Sequence, residues 1–152
     1  MAKQTAGILV YRRRRGVIEV FLAHPGGPFW AKKDLAAWSI PKGEFVDPET
    51  PLDAARREFA EEIGQSIAGE FIALTPRKPP GGKIIYAFAV EGEVDADKVE
   101  SNLFEMEWPP HSGKMQSFPE VDRGAWFGIE DARERLHKHQ VPILEELIAK
   151  LE

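Results

Sequence analysis

Segment 43–65 constrains the fold of this chain more than any other stretch, because it predicts one amphipathic helix with clear ends. Thr50 is a suitable N-cap residue, Pro51 suits the first helical position, and Gly64 suits the position just after the helix. At about 100° per residue, one face of this helix carries the apolar residues Leu52, Ala55, Phe59 and Ile63. The helix is therefore predicted to pack against a core along that face.

Three carboxylates project from an adjacent arc of the same helix, those of Glu58, Glu61 and Glu62. At spacings of three and four residues, like charges repel by roughly a few tenths of a kcal/mol per pair. A solvated acidic helix face is one interpretation of this pattern. A hard divalent cation bound between the carboxylates is the other.

The residues on either side of the acidic arc favour the cation. Residues 41–43, Pro-Lys-Gly, are predicted to form a turn, and the carbonyl groups of such a turn are further oxygen ligands. Arg57 can hold a carboxylate through two parallel hydrogen bonds, and Glu49 is the candidate partner. The segment therefore predicts a metal site beside the helix.

The composition narrows the class of protein. With 152 residues and 43% hydrophobic residues, the chain is expected to form a single domain over residues 1–152 with a real core. The absence of cysteine excludes disulfides and cysteine-based zinc sites. A formal net charge of −5 disfavours general nucleic-acid binding. With no long apolar run and no signal-peptide pattern, the expected location is the cytoplasm and no membrane partner is expected.

The rest of the chain mixes strand and helix patterns, so an α/β or mixed α+β fold with sheet-on-helix layers is expected. Helices are predicted over 129–137 and from Pro142 onward. Two long loops are predicted, over 24–37 and 109–120. Strands are predicted over residues 5–11, 17–23, 38–40, 71–75, 83–90, 102–108 and 125–127.

The spacing within segment 43–65 also resembles a known motif. The chain matches the pattern GX5EX7REUXEEXGU, where U is a bulky apolar residue, and departs from it only at Gln65. The matching residues are Gly43, Glu49, Arg57, Glu58, Phe59, Glu61, Glu62 and Gly64. This pattern is the Nudix box. The resemblance implies a Nudix-type α/β/α sandwich, in which the box helix packs on a mixed β-sheet. It also implies a hydrolase, dependent on Mg²⁺ or Mn²⁺, of a nucleoside diphosphate linked to another moiety.

The resemblance also implies roles for individual residues. Glu58, Glu61 and Glu62 would bind the metal, with the carbonyl of Lys42 as a further ligand. Glu58 or Glu61 could instead act in catalysis, with Glu58 as a general base, while Arg57 and Glu49 would orient the carboxylates. Glu120, ahead of the last predicted strand, is chosen as an additional ligand or base. Glu105 and Glu107 are its rivals, and a role in capping the loop is its alternative.

Substrate contacts are expected outside the box. Aromatic side chains in loops are candidates for stacking on a base, and lysines are candidates for binding phosphate, although each has an ordinary core or surface role as its alternative. The chosen residues are Trp30, Lys33, Lys42, Lys83 and Tyr86, with Phe29, Lys32, Trp108 and Phe118 as further candidates. His24, next to a glycine loop, is a candidate for a catalytic or phosphate-binding role.

The lead-in to the box indicates the substrate class. Residues 38–44, WSIPKGE, resemble the same stretch of Nudix hydrolases that act on dinucleoside polyphosphates, diphosphoinositol polyphosphates and RNA 5′ ends. A dinucleoside polyphosphate is therefore the expected substrate of a monomer or homodimer. The alternatives are a nucleoside triphosphate, ADP-ribose, an RNA 5′ end, or a non-catalytic domain that senses a nucleotide.

Overall fold

The computed structural model describes residues 3–152, and within them the chain forms eight strands and three α-helices. The helices are α1 (Pro51–Ile63), α2 (Ile129–Arg135) and α3 (Val141–Leu151). The strands are β1 (Gln4–Arg14), β2 (Val17–Pro25), β3 (Lys42–Phe45), β4 (Ile72–Ala73), β5 (Ile84–Glu91), β6 (Leu103–Glu107), β7 (Met115–Pro119) and β8 (Val121–Gly128). Within this described part of the chain, no helix has the length and hydropathy needed to cross a membrane.

The central element is a mixed sheet in the order β4-β5-β1-β2-β8, with β3 also paired to β1. Along one edge β1 runs parallel to β5. Along its other edge it pairs antiparallel with β3 near its start and with β2 near its end. β6 and β7 form a separate two-stranded hairpin. β3, which precedes the box helix, therefore joins the sheet by pairing with the long central strand β1.

Side chains of alternate β1 residues lie on opposite faces of the sheet and pack into two separate cores. Ile8 and Val10 lie in a core with Phe59 and Ile63 of α1. Leu9 lies in the other core, together with side chains of α2 and α3 such as Ala132, Ile143, Leu144 and Leu147. Helices therefore cover both faces of the sheet, and the predicted α/β/α sandwich is confirmed.

The predicted ends of the box helix are confirmed. The Thr50 hydroxyl accepts a hydrogen bond from the Asp53 N–H at 3.3 Å, which caps the helix N-terminus. Gly64 ends the helix in the left-handed conformation, at φ 77°. The buried face of the helix differs from the predicted one, since Ala54 is buried and Leu52 is only half-buried.

Three local predictions are wrong. Residues 38–40 form only isolated bridges rather than a strand. Lys42 and Gly43, predicted to lie in a turn, begin β3 instead, because the first half of β1 offers them an open edge to pair with. The predicted loop 109–120 contains β7, whose mostly exposed residues carry no buried face to show a strand pattern. In addition, the strand predicted over 71–75 shortens to β4.

Candidate active site

A cavity of about 390 Å³ lies where β3, α1 and the β7–β8 junction meet. Its walls bring together acidic side chains that are far apart in sequence. These are Glu44, Glu58, Glu61, Glu62 and Glu120. We call this space the acidic cavity, and it contains all four glutamates that the sequence predicts to be metal ligands.

The contact between β3 and α1 forms the floor of the acidic cavity. The Lys42 N–H donates a hydrogen bond to Oε1 of Glu62 at 3.3 Å. Next to it, Gly43 lies so close to Glu58 that a Cβ on residue 43 would overlap the Glu58 carboxylate. The glycine of the box is therefore needed for close approach between strand and carboxylate.

Arg57 connects the carboxylates on the helix to the loop before it. Its Nε and Nη2 each lie 2.8 Å from an oxygen of Glu49, so the predicted two-bond pairing is confirmed. Its Nη1 lies 2.7 Å from Oε1 of Glu58 and 3.3 Å from Oε2 of Glu61. The hydrogen bonds from Arg57 hold the pKa of Glu49 below its usual value. Arg57 thereby sets the positions of three acidic side chains at once.

The electrostatics of the acidic cavity favour a bound cation. Burial raises the pKa of Glu62 to about 8, although the Lys42 N–H and ammonium group oppose this shift. Burial also raises the pKa of Glu58, against the opposing effect of Arg57. A carboxylate that is costly to ionise alone is stabilised when a positive ion lies beside it. The raised pKa values are therefore consistent with a site that binds positive charge.

The chemistry of these side chains fits a hard divalent cation. All of the candidate ligand atoms are oxygens, which suits Mg²⁺ or Mn²⁺. Among residues 3–152, no three carboxylate or imidazole side chains already converge on one point. Glu58 and Glu61 instead turn toward Arg57. A bound cation would therefore neutralise part of the negative charge of Glu58 and Glu61 that Arg57 neutralises now.

Glu120 lies between β7 and β8 and reaches the acidic cavity. Its backbone is held on both sides, because its N–H donates to Asn102 and its carbonyl accepts from Gly26. Its rival Glu107 instead caps a turn by accepting hydrogen bonds from the His111 and Gly113 N–H groups. Neither Glu105 nor Glu107 lines the cavity. Of the three candidates, the structure therefore brings only Glu120 to the other carboxylates.

The chosen substrate-binding residues divide into two groups. Lys42 and Lys83 line the acidic cavity, where Lys83 lies 3.1 Å from Glu44. Trp30 and Lys33 lie in the loop after β2, away from that cavity's lining, with the Lys33 ammonium 5.1 Å from the centre of the Trp30 ring. Tyr86 is half-buried and packs edge-on against Phe45. Substrate contacts by these three residues stay predictions that the cavity does not support.

The remaining sequence candidates also lie outside the acidic cavity. His24 is fully buried, with Nδ1 2.8 Å from Oδ1 of Asp122 and Nε2 2.6 Å from the Lys33 carbonyl. Phe118 packs on Phe104 within the β6–β7 hairpin. Phe29, Lys32 and Trp108 do not line the cavity either. The contacts of His24 indicate that it anchors the loop after β2.

Sequence reasoning missed three polar residues of the cavity wall, Thr5, Glu44 and Asn102. Thr5 lies on β1 directly opposite Glu44 of β3, and Asn102 immediately precedes β6. Thr5 and Asn102 lie outside any motif, and Glu44 occupies a position of the box pattern at which any residue is allowed. Only the pairing of β1 with β3 and the position of the hairpin bring them to the site.

Comparison with known proteins agrees with this architecture. A search of curated proteins finds no significant match. Among solved structures, the Ap4A hydrolase of C. elegans is similar, with 19% identity and a TM-score of 0.62 over all of both chains. The NUDIX domain of Shewanella oneidensis NrtR, solved with ADP ribose, has 15% identity and a TM-score of 0.68, covering 100% of this chain and 90% of that one.

A third similar structure is MutT from Aliivibrio salmonicida and Vibrio cholerae, with 18% identity and a TM-score of 0.58, covering 97% of this chain and 96% of that one. At such identities these likenesses show the fold. The model of the NUDIX domain matches residues 1–147, which is nearly the whole chain. The expected enzyme class, a pyrophosphohydrolase, agrees with this match. The chain therefore belongs to the Nudix domain family.

Proposed function

We propose that this protein is a divalent-metal-dependent hydrolase of a pyrophosphate bond in a nucleoside polyphosphate, with dinucleoside polyphosphates as the favoured substrates. One observation carries the proposal. The acidic cavity is lined by Glu58, Glu61, Glu62 and Glu120, and by Lys42 and Lys83 as well. Carboxylates suit the metal, and the neighbouring ammonium groups suit the phosphate oxygens of the substrate.

The residues divide the work of the reaction. Glu58, Glu61, Glu62 and Glu120 would hold Mg²⁺ or Mn²⁺, with the Lys42 carbonyl as a further ligand. The ion would supply charge neutralisation on the phosphate oxygens and a more acidic bound water. A carboxylate oxygen of Glu58 or Glu120 accepts the proton of the attacking water. Arg57 keeps Glu58 and Glu61 in position, and Lys42 and Lys83 bind the phosphate chain.

Two observations support the choice of substrate. First, two of the similar structures involve nucleotides with a pyrophosphate linkage, since one is an Ap4A hydrolase and another was solved with ADP ribose. The Pro-Lys-Gly sequence at residues 41–43 places the Lys42 ammonium next to the acidic cavity. A lysine at this position favours a substrate with additional phosphate charge.

A substrate panel tests the proposal. The protein is incubated with Mg²⁺ or Mn²⁺ and with diadenosine tetraphosphate, ATP, ADP-ribose or triphosphorylated RNA, and the products are identified. We expect turnover only with metal present, and fastest turnover of diadenosine tetraphosphate. Absence of hydrolysis of every compound, together with tight nucleotide binding in EDTA, would indicate a nucleotide sensor instead. If ADP-ribose is turned over faster than diadenosine tetraphosphate, the choice of substrate is wrong, but the proposed hydrolase activity stands.

A further inference from the structure

A second cavity, of about 310 Å³, adjoins the acidic cavity. The two share Thr5, Lys42 and Lys83 as a common wall. The second cavity extends from this wall toward the segment between α2 and α3, which contributes His137 and His139. We call it the histidine cavity. No sequence motif indicates it, because its walls come from β1, β3, the start of β5 and the approach to α3.

The charge of the wall reverses between the two cavities. The acidic cavity is lined by five glutamates. Among the described residues, the histidine cavity is lined by no carboxylate, while it contains two lysines and two histidines. A negatively charged group that leaves the acidic cavity past Lys42 and Lys83 therefore enters surroundings that attract it.

The basic character continues beyond the histidine cavity. A third cavity shares Pro79 and His139 with it and adds the side chains of Lys78 and Lys138. Arg77 also lines this third space, but Glu146 holds its Nη2 at 3.0 Å. A continuous basic surface thus runs from the edge of the acidic cavity to Lys78 and Lys138. Because three adjoining cavities each contribute lysines, they suit a chain of negative groups better than a single anion.

The contact between the two histidines determines which ring nitrogen of His137 can donate to an anion. Their ring centres lie 5.3 Å apart. The backbone N–H of His139 donates a hydrogen bond to Nδ1 of His137, with 3.3 Å between the two nitrogens, so Nδ1 is an acceptor. The proton of neutral His137 therefore lies on Nε2, where it is available as a hydrogen-bond donor. A phosphate oxygen is an acceptor that matches this donor and the nearby ammonium groups.

We propose that the histidine cavity binds the phosphates of the substrate that lie beyond the bond being cleaved. This inference rests on the proposed function, since it assumes that the acidic cavity holds the reacting pyrophosphate. It narrows the substrate class to compounds with a chain of three or more phosphates. Lys42 contacts the chain where it passes between the cavities, Lys83 does so in exchange for its contact with Glu44 at 3.1 Å, and His137 and His139 bind its distal part.

Binding without metal tests the site apart from catalysis. The affinities of inorganic tripolyphosphate and pyrophosphate are measured by calorimetry in EDTA, for the unmodified protein, His139→Ala and the control His111→Ala. His111 is exposed and lies on the β6–β7 turn, outside all three cavities. We expect His139→Ala to weaken tripolyphosphate binding roughly tenfold, as for loss of one charge-assisted hydrogen bond, with a smaller effect on pyrophosphate and none in the control.

A second variant protects the test against local misfolding. His137 caps the short helix after α2 by accepting from the His139 N–H, so His137→Gln keeps an acceptor while losing the imidazole. We expect it to weaken tripolyphosphate binding while leaving the thermal midpoint unchanged. If the unmodified protein does not bind tripolyphosphate, or if neither variant weakens its binding, the proposal is overturned.

Steady-state kinetics decide between phosphates and a nucleoside base as the occupant. If the cavity binds phosphates, His139→Ala raises KM equally for diadenosine tetraphosphate and adenosine tetraphosphate, without changing kcat. If it binds a base, only the KM of the dinucleotide rises, and the proposal is wrong. A protein that binds tripolyphosphate through His139 but hydrolyses nothing would refute the proposed function and leave the anion site intact.

Discussion

The backbone N–H of Lys42 on β3 donates a hydrogen bond to the carboxylate of Glu62 on α1, at 3.3 Å. This contact joins the strand and the helix that carry most of the proposed metal ligands. Burial raises the pKa of Glu62 to about 8, so the strand holds in place a carboxyl group that is costly to ionise. The position of Glu62 therefore depends on the sheet as well as on the helix.

Replacing Glu62 with glutamine removes the group that can ionise to bind a cation but keeps an oxygen that can accept from Lys42. We expect kcat to fall roughly 100-fold or more, as when a preorganised electrostatic group is lost. The thermal midpoint at pH 7 should not fall, because burial disfavours the charged form that the variant lacks. Kinetics and thermal unfolding of this variant are compared with those of Glu70→Gln, an exposed glutamate outside the site. A large loss of stability would show that Glu62 is structural.

The role of Gly43 is tested by adding one methyl group. In Gly43→Ala the new Cβ would overlap the Glu58 carboxylate, so Glu58 must move or the strand must shift. We expect a strong loss of activity but only a small destabilisation, because the atoms that the new Cβ meets are the end of the flexible Glu58 side chain. Gly128→Ala is the matched control, because a Cβ there meets no atom within 4 Å. Full activity in Gly43→Ala would mean that the close approach is not required.

Arg57→Lys tests whether the paired hydrogen bonds matter or only the charge. Lysine cannot reproduce the two parallel bonds that Arg57 donates to Glu49. We expect kcat/KM to fall roughly 10- to 100-fold, as for partners that orient metal ligands. Combining it with Glu49→Gln should add little further loss, because both changes break the same contact. Additive losses would show that Glu49 and Arg57 act independently.

His24 is expected to stabilise the loop after β2. Both of its ring nitrogens lie near acceptors, Asp122 and the Lys33 carbonyl, and its side chain is fully buried. His24→Phe should reduce the free energy of unfolding by about 1–3 kcal/mol, since the buried polar contacts of the ring are lost. Urea unfolding measures the loss, and limited proteolysis should show faster cleavage within residues 26–37. Unchanged cleavage would indicate that the loop is held by other contacts.

Glu146 predicts a dependence of stability on pH. Partial burial tends to raise its pKa, but hydrogen bonds from Thr75 and then Arg77 outweigh burial and hold the pKa below its usual value of 4.5. Its contribution to stability is therefore complete above pH 4.5 and is lost as the pH falls through the lowered pKa. Glu146→Gln should be about 1 kcal/mol less stable at pH 7. The difference from the unmodified protein should shrink at the acid end of a series of urea titrations.

The box helix shows how much local sequence information can determine. Thr50 and Gly64 act within one turn of the helix, so their effect on its ends needs no distant partner. The same holds for the bond between Arg57 and Glu49, whose residues are eight positions apart. By contrast, the local sequence does not predict that Lys42 and Gly43 lie in a strand, because this strand forms by pairing with an edge of β1, which is distant in sequence.

The sequence by itself determined the family pattern, the box helix and the carboxylates beside its apolar face, since each depends on residues close together in the chain. Only the tertiary structure decided which other groups join them. Pairing of β1 with β3 and β5 brings Thr5 and Lys83 to the acidic cavity, and the β7–β8 junction adds Glu120. The histidine cavity likewise exists only because the segment before α3 packs beside Lys42. Contacts over such sequence separations leave no periodic pattern, so no local pattern could predict them.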